Sequence, residues 1–90
     1  MSKPSAKFKL LYTKSAVTDI QKLDRVAKKK IKKKIELYSQ KPFAYARKLT
    51  KPLLGTYRWR VGNYRVVFDI DKNKLIILRI GHRKEIYTRN

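Results

Sequence analysis

The sequence predicts an α+β domain in which a sheet of about four strands packs on an N-terminal pair of helices, in the order β-α-α-β-β-β. Three observations carry that prediction. Apolar residues recur at helical steps between Ala16 and Tyr38, two strand-like runs flank a Gly62-Asn63 turn, and a nearly unbroken apolar run extends from Leu75 to Ile80. Ninety residues support one core of this kind and no second one, so a single domain over 1–90 is expected, with residues 1–6 frayed.

The first strand is Lys7 to Tyr12, where Phe8, Leu10 and Tyr12 alternate with Lys7, Lys9 and Leu11. Ser15 is the expected N-cap of a short helix carrying Ala16, Ile20 and Leu23, with Asp19 in its first turns, where a carboxylate complements the helix dipole. Asp24 offers a second cap. The helix it starts bears one apolar stripe of Ala27, Ile31, Ile35 and Tyr38 and stops before Pro42, so the two helices form a hairpin. Lys28, Lys29, Lys30, Lys32, Lys33 and Lys34 cover the rest of the second helix, either as a solvated, steering face or in direct contact with phosphates. Pro42 to Gly55 has breakers at both ends and no sustained period, which predicts a connection with one helical turn near Tyr45. Within it Arg47, Lys48 and Lys51 extend the basic surface and are candidate nucleic-acid contacts.

The remainder is organised around Tyr57 to Asp71, which reads as one β-hairpin with two unlike faces. Gly and Asn accept the positive φ that a tight turn demands, and a two-residue loop sets Val61 opposite Tyr64, Arg60 opposite Arg65, Trp59 opposite Val66, Arg58 opposite Val67 and Tyr57 opposite Phe68. Tyr57, Trp59, Val61, Tyr64, Val66 and Phe68 then face a core, and Arg58, Arg60 and Arg65 face outward. Like charges directly across a strand pair cost roughly 0.2 to 1 kcal/mol, so Arg60 against Arg65 points to an anionic partner, the alternative being solvated arginines on an open sheet face. The run Leu75 to Ile80 is a strand whose facing stays open. A direct register places Arg79 on the core side with Val66, so either a bulge intervenes or the register is different.

The chain carries 25 Lys and Arg against 6 Asp and Glu, a formal charge of +19, which points to a polyanionic partner, most often a nucleic acid. Without cysteine there is no disulfide or thiol chemistry, and one histidine with scattered carboxylates makes no metal site. No segment has the apolar length of a signal peptide or a membrane span, so a cytoplasmic protein is expected. The sequence contains no carboxylate pair, activated nucleophile or glycine-rich phosphate loop. What it does hold is clustered arginine, which stabilises a phosphorane well and is a very poor base, because its pKa exceeds about 12.

Leu54-Gly55, the hairpin from Tyr57 to Phe68, and Gly81-His82-Arg83-Lys84-Glu85-Ile86-Tyr87 together resemble the signature segments of the RelE toxins, in the RelE/ParE superfamily. The resemblance spans residues 7 to 88. It implies an antiparallel sheet against the helical hairpin, no cofactor, and a toxin of a type II toxin-antitoxin system: a ribosome-dependent endoribonuclease that cuts messenger RNA in the A site and is silenced by an acidic antitoxin. Residue by residue, Arg65 and Arg83 match the arginines that contact the scissile phosphate, and Tyr87 matches the C-terminal tyrosine. Arg58 and Arg60 stand where some members have lysines, which removes a lysine base and leaves these two with electrostatic roles. His82 adjoins Arg83 and is a conditional acid or base. A ParE-like inhibitor of DNA gyrase and a non-catalytic RNA-binding module are the alternatives.

Overall fold

A computed structural model describes residues 8–48 and 57–86. The segment 1–6, the connection around Lys51 to Gly55, and Tyr87 lie outside the described residues. Five strands form one sheet in the order β1-β5-β4-β3-β2, with β1 (Lys9–Tyr12) parallel to β5 (Lys74–His82) and every other neighbour antiparallel. The count is five rather than about four. The additional strand is β2 (Ala46–Lys48), which pairs with β3 (Tyr57–Val61) through Ala46 opposite Trp59 and Arg47 opposite Arg58. Three residues carry no readable period. β2 is a strand because β3 offers it an edge.

Helix α1 (Lys14–Gln21) begins two residues earlier than Ser15 suggests. Its cap is Thr13, whose hydroxyl accepts from the Ala16 N–H at 3.1 Å and donates to the Leu78 carbonyl at 2.9 Å. A cap that also ties the helix to β5 satisfies two backbone groups where Ser15 satisfies one. Helix α2 (Arg25–Tyr38) is capped by Asp24, whose carboxylate accepts from the Ala27 N–H at 2.7 Å. Both helices lie on one face of the sheet, α1 against β5 and α2 against β3. Pro42 then opens a single helical turn, α3 (Pro42–Tyr45), at a position where its missing N–H costs nothing.

The core forms between these helices and the sheet. Ala16, Ile31 and Ile35 from the helices meet Trp59, Val66, Phe68, Leu75 and Ile77 from the strands, all of them buried. Arg79 poses no conflict with this core, because the ladder between β4 (Tyr64–Asp71) and β5 shifts between Val67 and Phe68. Ile77 pairs with Phe68 and Arg79 pairs with Val67, so Leu78 is the bulged residue and Arg79 moves to the face of Arg65.

Asp19 sits in the second half of α1, away from the helix start where the sequence placed it. Its carboxylate accepts from Arg79 Nε at 2.8 Å and Nη2 at 3.1 Å, and from the Ile80 backbone N–H at 2.9 Å. Strand β1 ends beside Ile77, so α1 supplies the partner that the free edge of β5 lacks beyond it. The ion pair keeps the Arg79 guanidinium charged, raising its pKa above the ordinary value, mainly through the Asp19 hydrogen bond. Asp19→Ala is expected to cost about 1–3 kcal/mol, chiefly by orphaning the Ile80 N–H, since Arg79 is 36% exposed and its Coulomb share is small. Asp19→Asn, which keeps an acceptor for that N–H, is expected to recover part of the loss in a thermal melt. Equal melting of the alanine variant and the native chain refutes the edge-capping role.

Tyr12, half-buried opposite Ile77, gives a pH signature. Burial, reinforced by the Glu36 carboxylate, pushes its phenol above the ordinary value of 10.0. The folded chain therefore holds this proton more tightly than the unfolded one. Stability is intact below about pH 10, and it falls as pH rises from there through the folded pKa, because only the unfolded state has released the proton. Tyr12→Phe is expected to lose less stability than the native chain between about pH 9 and 11, compared by urea midpoints at each pH. A difference that stays constant across that range removes Tyr12 from the alkaline response.

Candidate nucleic-acid interface

The turn Gly62-Asn63 positions most of the candidate site. Gly62 takes φ +59°, which an L side chain rarely adopts, and the observed pairing is the one the two-residue loop requires, with Arg60 opposite Arg65 and Arg58 opposite Val67. Arg47 opposite Arg58 adds a fourth arginine to that face. With strands about 4.8 Å apart, Arg47, Arg58, Arg60 and Arg65 form a cationic band across three adjacent strands, roughly 10 Å wide.

Arg65 does not look out into solvent as the strand alternation suggests: it is only 6% exposed, because its Nη1 turns back to donate to the carbonyls of Gly62 and Tyr64, both at 2.9 Å. The guanidinium is therefore oriented by the turn it follows. Arg60 is exposed and Arg58 half-buried. Gly81 stands opposite Arg65, and a Cβ on it would lie 3.5 Å from the Ile86 side chain. The short helix α4 (Arg83–Ile86) thus packs down on the arginine side, with Ile86 buried and in van der Waals reach of position 81. Arg83 opens α4, and its backbone N–H donates to the Asn63 carbonyl at 2.7 Å, which anchors it to the hairpin tip. Arg60, Arg65 and Arg83 come from three elements, β3, β4 and α4, whose backbones come together beside the Gly62-Asn63 turn. Arg58, Arg60 and Arg83 have no carboxylate within ion-pair distance among the described residues.

His82 is not brought into this group. It pairs with Tyr64 on the opposite face, with the rings edge to face at 5.7 Å, and its Nδ1 accepts from the Lys84 N–H at 3.2 Å. It lines a cleft of about 490 Å³ between α1, β5 and α4, together with Asp19, Asp24, Tyr64 and Glu85. Strand alternation separates it from Arg65. Arg47 is exposed at the sheet edge and Lys48 ends β2, whereas Lys51 and Tyr87 fall outside the described residues. Among the described residues no cluster of His, Cys, Asp or Glu is suited to hold a metal ion, and no helix is long and apolar enough to cross a membrane. Gly81, which the sequence suggests as the end of the last strand, lies within β5 opposite Arg65, where the absence of a side chain leaves room for Ile86.

The family model of the ParE toxins of type II toxin-antitoxin systems matches residues 10–87. The chain belongs to the RelE/ParE toxin superfamily. It is a toxin of the type II toxin-antitoxin class. Toxin RelE3 of Methanocaldococcus jannaschii is 35% identical over 83 residues, covering 88% of this chain and 94% of that protein. Toxin RelG of Mycobacterium tuberculosis is 38% identical over 53 residues, 57% of this chain and 61% of that protein, so this match spans less than two thirds of RelG. Among solved structures, the toxin-antitoxin complex RelBE2 of M. tuberculosis contains a chain that superposes with a TM-score of 0.77 at 28% identity, covering 86% of this chain and 99% of that one. The RelB-RelE complex of Methanococcus jannaschii gives 0.69 at 28% identity, covering 89% and 98%. The α+β RelE-like fold, with N-terminal helices on a mostly antiparallel five-stranded sheet, is thereby shared by this toxin.

Proposed function

We propose that this toxin is a metal-independent endoribonuclease that cleaves messenger RNA in the ribosomal A site and so halts translation. The observation that carries this reading is that the backbones of Arg60, Arg65 and Arg83 are held around one hairpin tip, with the Arg65 guanidinium already oriented by two backbone carbonyls. The ribose 2′-oxygen attacks the adjacent phosphorus, its proton passing to a base, and the bond from phosphorus to the 5′-oxygen breaks as that oxygen takes up a proton. The products are a 2′,3′-cyclic phosphate and a 5′-hydroxyl. Negative charge peaks in the five-coordinate intermediate, and guanidinium groups held in advance stabilise that charge more than they stabilise the substrate.

Arg58 and Arg60 add field strength without exchanging protons. Tyr87 is assigned to stacking on a base or donating to the leaving oxygen. His82, on the other face, takes no part. With so few proton-transfer groups, the enzyme depends on the ribosome to align the 2′-oxygen, a contribution worth several orders of magnitude when orientation is good. The toxin works in the cytoplasm and is held by an acidic antitoxin that covers the arginine face. The similarity to chains solved in RelBE2 and RelB-RelE complexes supports such a partner.

Primer extension on messenger RNA with purified protein tests the reading. Cuts are expected with ribosomes and not without them. A second reading has its own support, because the matching family model is that of ParE toxins. On that reading the protein inhibits DNA gyrase by binding, and a supercoiling assay turns positive while primer extension stays blank.

A further inference from the structure

A chain of six aromatic rings loops through the core and surfaces at both ends on the same short turn. Tyr45 stacks on Tyr38 at 4.2 Å, and Tyr38 meets Trp59 edge-on at 5.8 Å. Trp59 lies 4.1 Å from Phe68, Phe68 is stacked on Tyr57 at 5.6 Å, and Tyr57 meets Phe43 edge-on at 5.3 Å. Trp59 and Phe68 are fully buried, whereas Phe43 and Tyr45 are 55% and 47% exposed. These terminal rings stand two residues apart on α3, and the Trp59 indole N–H pins that turn by donating to the Pro42 carbonyl at 3.1 Å. The exposed rings are therefore braced from inside. Ordering them for a ligand costs little.

Charge identifies that ligand. Glu36 is the sole acidic residue between Lys28 and Lys48, a stretch otherwise rich in lysine. Lys41 precedes the turn, Lys34 holds its ammonium 5.8 Å from the Tyr38 ring centre, and Arg47 follows in β2, exposed and directly opposite Arg58 of the cationic band. Flat rings beside mobile cations are what single-stranded nucleic acids use, bases stacking on the rings while phosphates meet the charges. Continuity through Arg47 links this patch to the arginine face.

We propose that Phe43 and Tyr45 are a stacking platform for bases of single-stranded RNA, extending the track of the arginine face around the β2 edge. The proposal rests on the reading of this toxin as an RNA-cleaving enzyme. It adds a binding site to that reading. A strand running from Arg65 over Arg60 and Arg58 to Arg47 reaches the platform, where flanking bases lodge beyond the scissile phosphate.

The test is fluorescence anisotropy with a labelled 2′-O-methyl RNA decamer of mixed sequence, which cannot be cut because it lacks the nucleophile, and with an abasic decamer of the same backbone. The full chain is compared with Phe43→Ala, Tyr45→Ala and Phe43→Leu. Each is expected to bind the base-bearing decamer roughly 5- to 100-fold more weakly while holding the abasic one within about twofold of native. Phe43→Leu keeps an apolar contact without a planar ring and guards against loss of fold, which a thermal melt also checks. Native affinity for the base-bearing decamer in all three variants overturns the proposal. So does an equal loss on both decamers, and so does unchanged RNA binding with lost affinity for an amphipathic Glu-Leu peptide, which reassigns the patch to an acidic protein. Primer extension reads the nuclease separately, so the platform fails alone if cutting persists, and the nuclease reading fails alone if base-dependent binding appears without cutting.

Discussion

Arg83→Ala is expected to lower ribosome-dependent cleavage by about 100- to 1,000-fold, the usual cost of removing one donor aimed at charge that develops in the transition state. Its thermal stability is expected to stay within about 0.5 kcal/mol of native, because Arg83 is exposed and the contact that anchors it is its backbone N–H, which alanine retains. Arg65→Ala is expected to behave differently. It removes a buried guanidinium whose Nη1 bridges the Gly62 and Tyr64 carbonyls, so cleavage and stability fall together, the latter by about 1–3 kcal/mol. Arg65→Lys keeps the charge but cannot reproduce a fork, and is expected to recover stability more than activity. Primer extension with ribosomes and thermal melts, run on the same three proteins, separate the two roles. Full cleavage by Arg83→Ala removes that residue from the proposed site, and undiminished stability of Arg65→Ala shows that the turn does not need it.

The contrast between these two arginines marks where the sequence was legible and where it was not. The register from Tyr57 to Phe68 could be read because Gly62 and Asn63 leave one way to close the loop, and every pair in it follows from that closure. Asp24 could be read as a cap because its reach is local. Long-range features were harder. Thr13 displaces Ser15 as cap through a bond to Leu78, 65 residues away in sequence, and Asp19 leaves its supposed dipole role for Arg79 and Ile80, more than fifty positions on. β2 has no period of its own. The sequence did expose the misfit at Arg79 and offered a bulge as one resolution, since the alternation of charge against apolar residues conflicts with an unbroken ladder. In the site, the face of Arg58, Arg60 and Arg65 followed from strand alternation. That His82 lies on the other face follows from the same rule, but only once its pairing with Tyr64 is known.

Trp59→Ala is expected to cost about 5 kcal/mol, the largest single loss of stability in the chain. Emptying a fully buried indole site costs about 3–5 kcal/mol in transfer and cavity terms, and the Pro42 carbonyl, left without its donor, adds about 1–3. Native stability for 90 residues is about 5–13 kcal/mol, and a net charge of +19 draws on it through self-repulsion. The variant is thus expected to be largely unfolded at low ionic strength near 37 °C and to regain structure as salt shortens the screening length from about 30 Å at 0.01 M to about 8 Å at 0.15 M. Trp59→Phe keeps a ring against Phe68 but loses the indole donor, so it is expected to fall between the two and to loosen α3 selectively, because the link to Pro42 is the contact it gives up. Circular dichroism melts at low and high salt read all three chains. Melting of Trp59→Ala within about 5 °C of native, at either salt, breaks the argument that this one side chain joins the core to the surface turn, since a loss of 5 kcal/mol in a domain of this size is worth several times that shift.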